Sequence, residues 1–214
     1  MSPSFHPPKE FLVDFAAGSL LEPLALVVAT HVALCTPCRA EVADDEALGG
    51  VLLDRLAPEP VTPCTRNRVM GRLDEDVASP LRQPPTHDAV LPAPVLVHLP
   101  MDLNALPWQP LLRGIKAVEL SGAGAVKTCL VQVRAGRIMP RHRHEGHELV
   151  CFLAGGYTDA FGHYRRGDFS FLGPGTEHRP VMDPDEDCVC VALADAPLHF
   201  AGRFGRIVNP LLRG

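Results

Sequence analysis

The apolar residues of this chain change their spacing once, and the change falls at a proline-rich segment. Before residue 80 they recur three and four positions apart, as on one face of an α-helix, and after residue 100 they alternate in short runs, as in β-strands. Eleven of the 22 prolines lie between Pro58 and Pro110, and no helix can cross Pro84-Pro85. The pattern predicts an α+β multidomain chain, with a helical domain over residues 1–79, a semi-extended linker over 80–100 and an all-β domain over 101–214.

The first domain is predicted to be a small bundle of four helices. Its first two helices carry apolar stripes at helical spacing: Phe11, Leu12, Phe15 and Ala16, then Leu24, Val27 and Val28. Gly18 supplies a C-terminal stop for the first helix, and the second runs on to His31. Thr36-Pro37 and Thr62-Pro63 each place an N-cap residue before a proline at the first helical position. They predict a third helix to about Leu56 and a fourth through Val69 and Leu73.

The second domain is predicted to be a β-sandwich or small β-barrel. Its β-rich runs cover residues 125–133, 148–153, 168–172 and 188–193 and are separated by Gly, Pro and Asp. Several short strands of this kind are typical of closed all-β architectures.

Charge divides at the same place as the apolar pattern. The chain has 20 Lys and Arg against 25 Asp and Glu, a formal net charge of -5. Residues 1–79 hold six basic and twelve acidic residues, whereas residues 80–214 hold fourteen and thirteen. Proteins that bind nucleic acid through its phosphates are usually basic. We therefore expect no direct nucleic-acid partner.

Cysteine usage and the N-terminus indicate the compartment. Seven cysteines, unevenly spaced in a chain long enough to build a core without disulfides, favour reduced thiols or metal ligation in a cytoplasm. The N-terminus lacks the charged-then-apolar order of a signal peptide. The most apolar stretch, residues 20–34, is interrupted by Glu22, Pro23 and His31 and is too short to span a bilayer. We expect a soluble, cytoplasmic protein without a membrane partner.

The spacing His31-x-x-x-Cys35-x-x-Cys38 predicts a zinc site in the helical domain. Steps of four and three return to one helix face, and two thiolates with an imidazole suit tetrahedral zinc, which needs a fourth ligand. His6, just before the first helix, is the nearby histidine that can fold back to supply it. Pro37 places Cys38 in a helix first turn, where the helix dipole is expected to lower the pKa of the thiol. The alternatives are two small buried cysteines, or a redox pair, although no βαβ pattern accompanies the pair.

A second metal constellation is predicted in the β domain. His142 and His144 lie two apart on a strand and so face one side, and Glu148 begins the next strand-like run. His178 follows a Gly-rich turn. Three imidazoles and a carboxylate at the mouth of a barrel suit zinc or another divalent transition metal. A polar strand cluster that binds no metal is the alternative.

The spacing around His142, His144 and Glu148 is similar to the first cupin motif. The second motif matches less well, because Gly173 stands where proline is expected and Met182 where asparagine is expected. Cys188 and Cys190 lie on one strand face and are either small buried residues or an oxidisable pair. Cys64, Cys129 and Cys151 are interpreted as structural.

With both parts on one chain, the sequence resembles the ChrR-type zinc anti-sigma factors. The resemblance runs from FHPPKEFLVDFAAGSLLEPLALVVATHVALCTPCRA to CVCVALADAPLHF, with VVATH and DAPLHF especially similar. It implies a helical domain whose structural zinc is held by His6, His31, Cys35 and Cys38. It also implies a cupin whose metal is held by His142, His144, Glu148 and His178.

The same resemblance implies a function. Such proteins bind a group IV, extracytoplasmic-function (ECF) sigma factor, with which we expect one-to-one pairing, and release it under singlet-oxygen or related oxidative stress through the cupin. Our candidate sigma contacts are Phe11, Phe15, Leu24 and Val28, which can equally be core residues. The alternatives are a metal-dependent cupin enzyme, a dioxygenase or isomerase, a DNA-binding regulator, which the acidic first half disfavours, and a sigma-binding fold whose partner has changed.

Overall fold

The structure is a computed structural model that describes residues 2–73, 91–99, 106–123 and 126–200. Its order of elements confirms the predicted fold class, with helices first and antiparallel strands after them. The helices in the described residues are α1 (Lys9–Ala16), α2 (Glu22–Leu34), α3 (Thr36–Asp54), α4 (Pro63–Met70) and α5 (Ala93–Leu96).

The strands pair into three antiparallel sheets. In chain order they are β1 (Gln109–Leu112), β2 (Ile115–Ala123), β3 (Val126–Val133), β4 (His142–His144), β5 (Glu148–Ala154), β6 (Gly156–Thr158), β7 (His163–Arg165), β8 (Phe169–Leu172), β9 (Glu177–His178), β10 (Val181–Met182), β11 (Cys188–Ala194) and β12 (Leu198–Phe200). A six-stranded sheet has the order β1-β2-β3-β11-β5-β8, and two three-stranded sheets have the orders β10-β6-β7 and β12-β4-β9. The four predicted runs correspond to β3, β5, β8 and β11.

The two faces of the six-stranded sheet carry different apolar sets. Along β5, Leu149, Cys151 and Leu153 belong to a core shared with the helices, whereas Val150 and Phe152 belong to a second core on the opposite face of the sheet. Because side chains alternate along a strand, one sheet serves both cores. The second core is the interior of the β part of the chain.

Helix α2 covers the first of these faces. Val27 and Val28 are fully buried in the same cluster as the sheet residues, and the Thr128 hydroxyl donates to the Pro23 carbonyl at 2.6 Å. A helix that is apolar on all sides is expected to be buried on all sides, and α2 contacts α1, α3 and α5 as well as β2, β3, β5 and β11. The helical and β parts therefore share one hydrophobic core.

The helix boundaries agree with the sequence except at three places, one of which is the end of α4 at Met70 rather than at Leu73. Thr62 is the N-cap of α4 and its hydroxyl accepts from the Thr65 N–H at 3.2 Å, as expected. The predicted N-cap at Thr36 is wrong by one residue, because α3 begins at Thr36 and extended Cys35 precedes it. The third helix ends at Asp54 rather than at Leu56.

Residues 80–90 and residue 100 of the predicted linker lie outside the described residues. The rest of that segment, residues 91–99, contains α5, which contacts α2 and buries Val95 completely. The domain limits at 79 and 101 stay a prediction. Among the described residues, no single helix has both the length and the apolar content to cross a membrane, and α2 with α3 meet that test only as a pair bent by 117°.

Truncation at the shared core is expected to be costly. Leu153→Ala removes a side chain of 0% exposure that packs in the helix-facing cluster, so we expect a loss of about 2–5 kcal/mol in the free energy of unfolding. Urea unfolding of the full chain measures it. Leu52→Ala, at a position 56% exposed, is the matched control and should change stability by less than about 0.5 kcal/mol. Equal losses in the two variants would contradict a core shared at Leu153.

Candidate metal centres

The junction between α2 and α3 brings three predicted zinc ligands together. Cys35 is extended (φ -113°, ψ 107°) and separates the two helices, and the direction of the chain bends by 117° from α2 to α3. The chain thus turns at Cys35, and the start of α3 places Cys38 back beside the last turn of α2. His31, Cys35 and Cys38 are all buried. The bent junction, rather than one continuous helix face, makes them converge.

His6 folds back onto this junction. Its Nδ1 lies 3.4 Å from the Sγ of Cys35 and 3.3 Å from the Sγ of Cys38, and His31 Nε2 lies 3.3 Å from the Sγ of Cys38. All four ligand atoms lie within 4.8 Å of one another. Sulfur and nitrogen on a tetrahedral zinc are about 3.5 Å apart, given the usual Zn–S and Zn–N bond lengths. The four residues therefore have the spacing of a tetrahedral zinc site in which the protein supplies all four ligands.

The electrostatics of this cluster differ from our expectation at Cys38. Burial, together with the neighbouring Cys35 thiol, raises the pKa of Cys38 to about 12. The expected lowering of the Cys38 pKa by the helix dipole is wrong, because the cost of desolvating a thiolate outweighs the stabilisation that the dipole gives at the first turn of a helix. Burial also lowers the pKa of His31 to about 4, which keeps its imidazole neutral. A divalent ion reverses the preference of the thiols, since coordinated cysteine is deprotonated.

Strands β4 and β9 build the second cluster. His142 pairs with His178 across the two strands, and His144 follows two residues later on the same face. His178 Nε2 lies 2.9 Å from His142 Nε2 and 3.0 Å from His144 Nε2. Nitrogens at adjacent corners of an octahedron are about 3.0 Å apart when the metal–nitrogen distance is about 2.1 Å. His178 therefore lies at the spacing of adjacent metal ligands from each of the other two imidazoles, and the three ligand nitrogens lie within 4.8 Å of one another.

Glu148 stands beside the histidines rather than among them. Its Oε2 lies 3.6 Å from His144 Nε2, and the group of ligand atoms within 4.8 Å of one another contains the three histidines without it. Burial raises the pKa of Glu148 to about 7 and lowers those of His142 and His144 to about 4 and about 3. Its ligation of a metal stays a prediction.

Comparison with known proteins identifies the family of the chain. The ChrR Cupin-like domain matches residues 98–196. The anti-sigma-E factor ChrR of Cereibacter sphaeroides is 33% identical over 208 residues, which is 97% of each chain. A chain in the crystal structure of Rhodobacter sphaeroides SigE in complex with the anti-sigma ChrR is 30% identical, with a TM-score of 0.80 over 90% of this chain and 100% of that one.

The chain belongs to the ChrR family of anti-sigma factors. Membership confirms the resemblance seen in the sequence and favours a regulatory role over the dioxygenase or isomerase alternative. A divalent ion held by three histidines would keep further positions open, as cupin enzymes also require, so the histidine cluster does not separate the two roles. The similarity to the anti-sigma factor ChrR, which covers 97% of each chain, favours the regulatory role.

The ChrR fold adds three supporting contacts that the sequence analysis missed. The Nδ1 atoms of the ligand imidazoles face Gly167 O at 2.7 Å for His31, Pro140 O at 2.9 Å for His142 and Asp159 Oδ2 at 2.8 Å for His178. Such contacts fix the tautomer and orientation of a ligating imidazole. Pro140 lies two residues before His142, whereas Gly167 and Asp159 are distant in sequence from His31 and His178, so no local spacing reveals those two contacts.

Asp159 is the charged member of this set. Burial opposes its ionisation, yet hydrogen bonds from His178 and from the Phe161 N–H hold the pKa of Asp159 below its usual value. The carboxylate is therefore ionised while it accepts from His178, which increases the basicity of the opposite ring nitrogen.

The remaining predicted site residues are buried or half-buried. Cys188 and Cys190 face the interior core, and contact with the Cys188 thiol, together with burial, raises the pKa of Cys190 well above its usual value. A protonated thiol reacts slowly with oxidants, so a redox role for the pair stays a prediction. Val28 is fully buried in the core that the helices share with the sheet, and the other proposed sigma contacts are half-buried against that shared core: Phe11, Phe15 and Leu24.

Metal content tests the two clusters separately. The full chain should bind two divalent ions, whereas Cys38→Ser and His142→Ala should each retain one, because each removes one ligand from one cluster. Inductively coupled plasma mass spectrometry after gel filtration measures the ratio. Cys64→Ser, an exposed cysteine on α4, is the control and should retain two. A Cys38→Ser protein with two bound ions would disprove the helical centre.

Proposed function

We propose that this chain binds an ECF-type sigma factor one to one in the cytoplasm and keeps it from RNA polymerase. The proposal is supported by membership of the ChrR family and by the solved complex of SigE with the anti-sigma ChrR. A partner protein also needs a surface to bind.

The observation that carries the proposal is an exposed apolar surface on α3 and α4. Every residue from 46 to 64 is exposed, and α4 contains no buried residue. Large side chains of α3, of α4 and of the segments that follow each helix are between 50% and 68% exposed. We call them the α3–α4 surface: Leu48, Val51, Leu52, Leu53, Leu56, Val61, Val69, Met70 and Leu73. Large apolar side chains left exposed in such numbers are typical of protein interaction sites.

The stripe on α3 has the spacing of an anchor helix. Leu48 and Leu52 lie four residues apart on α3, Leu56 follows two residues after its end, and Gly49 and Gly50 have no atom within 4 Å of an ideal Cβ position. The stripe begins close after acidic residues of the same helix, Asp44 and Glu46. Acidic residues beside apolar anchors suit a basic partner surface, where charge speeds encounter and buried apolar contacts set residence time.

The two centres have different proposed roles. His6, His31, Cys35 and Cys38 would hold zinc, which supplies a crosslink that fixes the angle between α2 and α3. That angle sets where α3 and its leucines point. The cupin centre would hold zinc or another divalent transition metal through His142, His144, His178 and Glu148. We propose that it senses singlet-oxygen-type oxidants, because a divalent ion held by three imidazoles and one carboxylate would keep positions open to small molecules.

Loss of the anchor leucines should weaken sigma binding. Leu48→Ala with Leu52→Ala is expected to lower the affinity for the partner ECF sigma factor by about 10- to 100-fold, since buried anchors carry most of the energy of an interface. Isothermal titration calorimetry measures the affinity. Leu111→Ala, at an equally exposed leucine on β1 (59%, as for Leu48), is the control. Unchanged affinity in the double variant would place the sigma site elsewhere.

Release should depend on the cupin centre but basal inhibition should not. Glu148→Gln removes the carboxylate charge beside His144 and leaves α3 and α4 intact, so we expect full sigma inhibition without stress and no induction by singlet oxygen. A sigma-dependent reporter strain exposed to light and a photosensitiser measures both. Glu145→Gln alters an exposed carboxylate between β4 and β5 and is the control. Normal induction in the Glu148 variant would eliminate the proposed sensor.

A further inference from the structure

The segment before α1 is docked on the β part of the chain. The carboxylate of Asp168, 4% exposed, accepts from two N–H groups of this segment, with Oδ1 at 2.6 Å from Ser4 N and 3.1 Å from Phe5 N. Its other oxygen accepts from Arg165 N at 2.8 Å. One buried carboxylate therefore closes the turn between β7 and β8 and holds the N-terminal segment against it.

Phe5 completes this docking with its backbone and its ring. Its carbonyl accepts from Phe169 N at 3.0 Å, and its ring lies 4.5 Å from the ring of Tyr164. A Cβ atom on Gly162 would lie 2.6 Å from the Phe5 ring. The β part thus provides a fitted site for Phe5, beside a glycine that leaves room for it.

The same turn supports two ligands of the helical centre. His6 follows Phe5 directly in the chain, so the docking fixes the position from which its imidazole reaches Cys35 and Cys38. Gly167, next to Asp168, directs its carbonyl to His31 Nδ1 at 2.7 Å. These two ligands are thus supported from outside the helices, whereas the two cysteines lie at the start of α3.

His6 has particular need of this support. It precedes α1, which begins at Lys9, and it is the exposed member of its ligand group, whereas the other three are buried. A ligand on an irregular segment loses conformational freedom when it binds a metal, and prior docking of that segment removes part of this cost.

We propose that the turn of residues 165–169, through Asp168 and Gly167, is a latch that positions His6 and His31 and so completes the metal centre of the helical part. The inference rests on the proposed zinc site. Asp168 and Phe5 are positioning residues, since neither contacts the metal. It follows that any change in the β part that moves this turn weakens metal binding in the helical part. The angle between α2 and α3 is then less firmly fixed.

Cobalt reports on the helical centre alone. Of the two clusters, only this one contains thiolates, so only Co²⁺ bound there gives a sulfur-to-cobalt charge-transfer band. The full chain is loaded with Co²⁺, excess EDTA is added, and decay of the band is followed. We expect Phe5→Ala and Asp168→Asn to lose Co²⁺ about 10- to 100-fold faster than the unmodified chain, the range found when groups supporting metal ligands are removed.

Each variant has a matched control. Phe11→Ala removes another aromatic contact between the helical and β parts, to Phe171 at 5.1 Å, without touching the N-terminal segment. Asp187→Asn alters another carboxylate that caps a backbone N–H, that of Ala135 at 2.9 Å. Both should retain Co²⁺ as the unmodified chain does.

The outcomes separate the latch from the centre itself. Absence of the band in the unmodified chain overturns both the metal site and the latch. A normal band with equal decay in Phe5→Ala, Asp168→Asn and the unmodified chain overturns the latch and leaves the metal site standing. Equal acceleration in the variants and their controls also overturns the latch, because it shows general destabilisation.

Discussion

The imidazole of His31 is held on both sides, and much of the structure depends on this arrangement. One nitrogen faces Cys38 in the helical part, and the other faces the Gly167 carbonyl in the β part. The ring is fully buried near the end of α2, the helix that lies between the other helices and the six-stranded sheet. A buried imidazole needs partners for both nitrogens. Here they come from different parts of the chain, so the docking of the two parts is a condition for the metal centre and not an independent feature.

The two centres fit different coordination chemistry. The separations at the junction of α2 and α3 are those of a closed tetrahedral site in which four protein ligands leave no position for a small molecule. The separations of His178 from His142 and from His144 suit adjacent ligands of an octahedral ion, and three histidines would leave other positions of such an ion available. A closed site suits a structural crosslink and an open site suits a sensor. The proposed division of roles is supported by the two donor sets, four protein ligands in one cluster and three histidines in the other.

The sequence predicted local features well and distant ones poorly. The ligands His31, Cys35 and Cys38 come from neighbouring helix ends, and His142 with His144 from one strand, so spacing along the chain was enough to group them. Asp159 and Asp168 act on groups far away in the sequence, and no periodicity reveals such pairs. Val28 shows a different limit: an apolar stripe indicates which face of a helix is buried, but the core and a partner bury the same kind of face. The exposed leucines of α3 could be separated from the core only once packing was known.

Energies of very different size connect these features to release of a partner. A tenfold change in affinity corresponds to about 1.4 kcal/mol. Loss of a positioning contact changes metal affinity about 10- to 100-fold, whereas loss of a structural zinc removes on the order of 10–16 kcal/mol of apparent folding energy. A signal that only loosens the latch can therefore shift sigma binding by at most about a hundredfold, which gives a graded response. A signal that loosens it enough for a competing ligand to remove the metal would instead collapse the α2–α3 angle entirely. The latch thus lies at the point where a small structural change in the β part can be converted into a large energetic one in the helices.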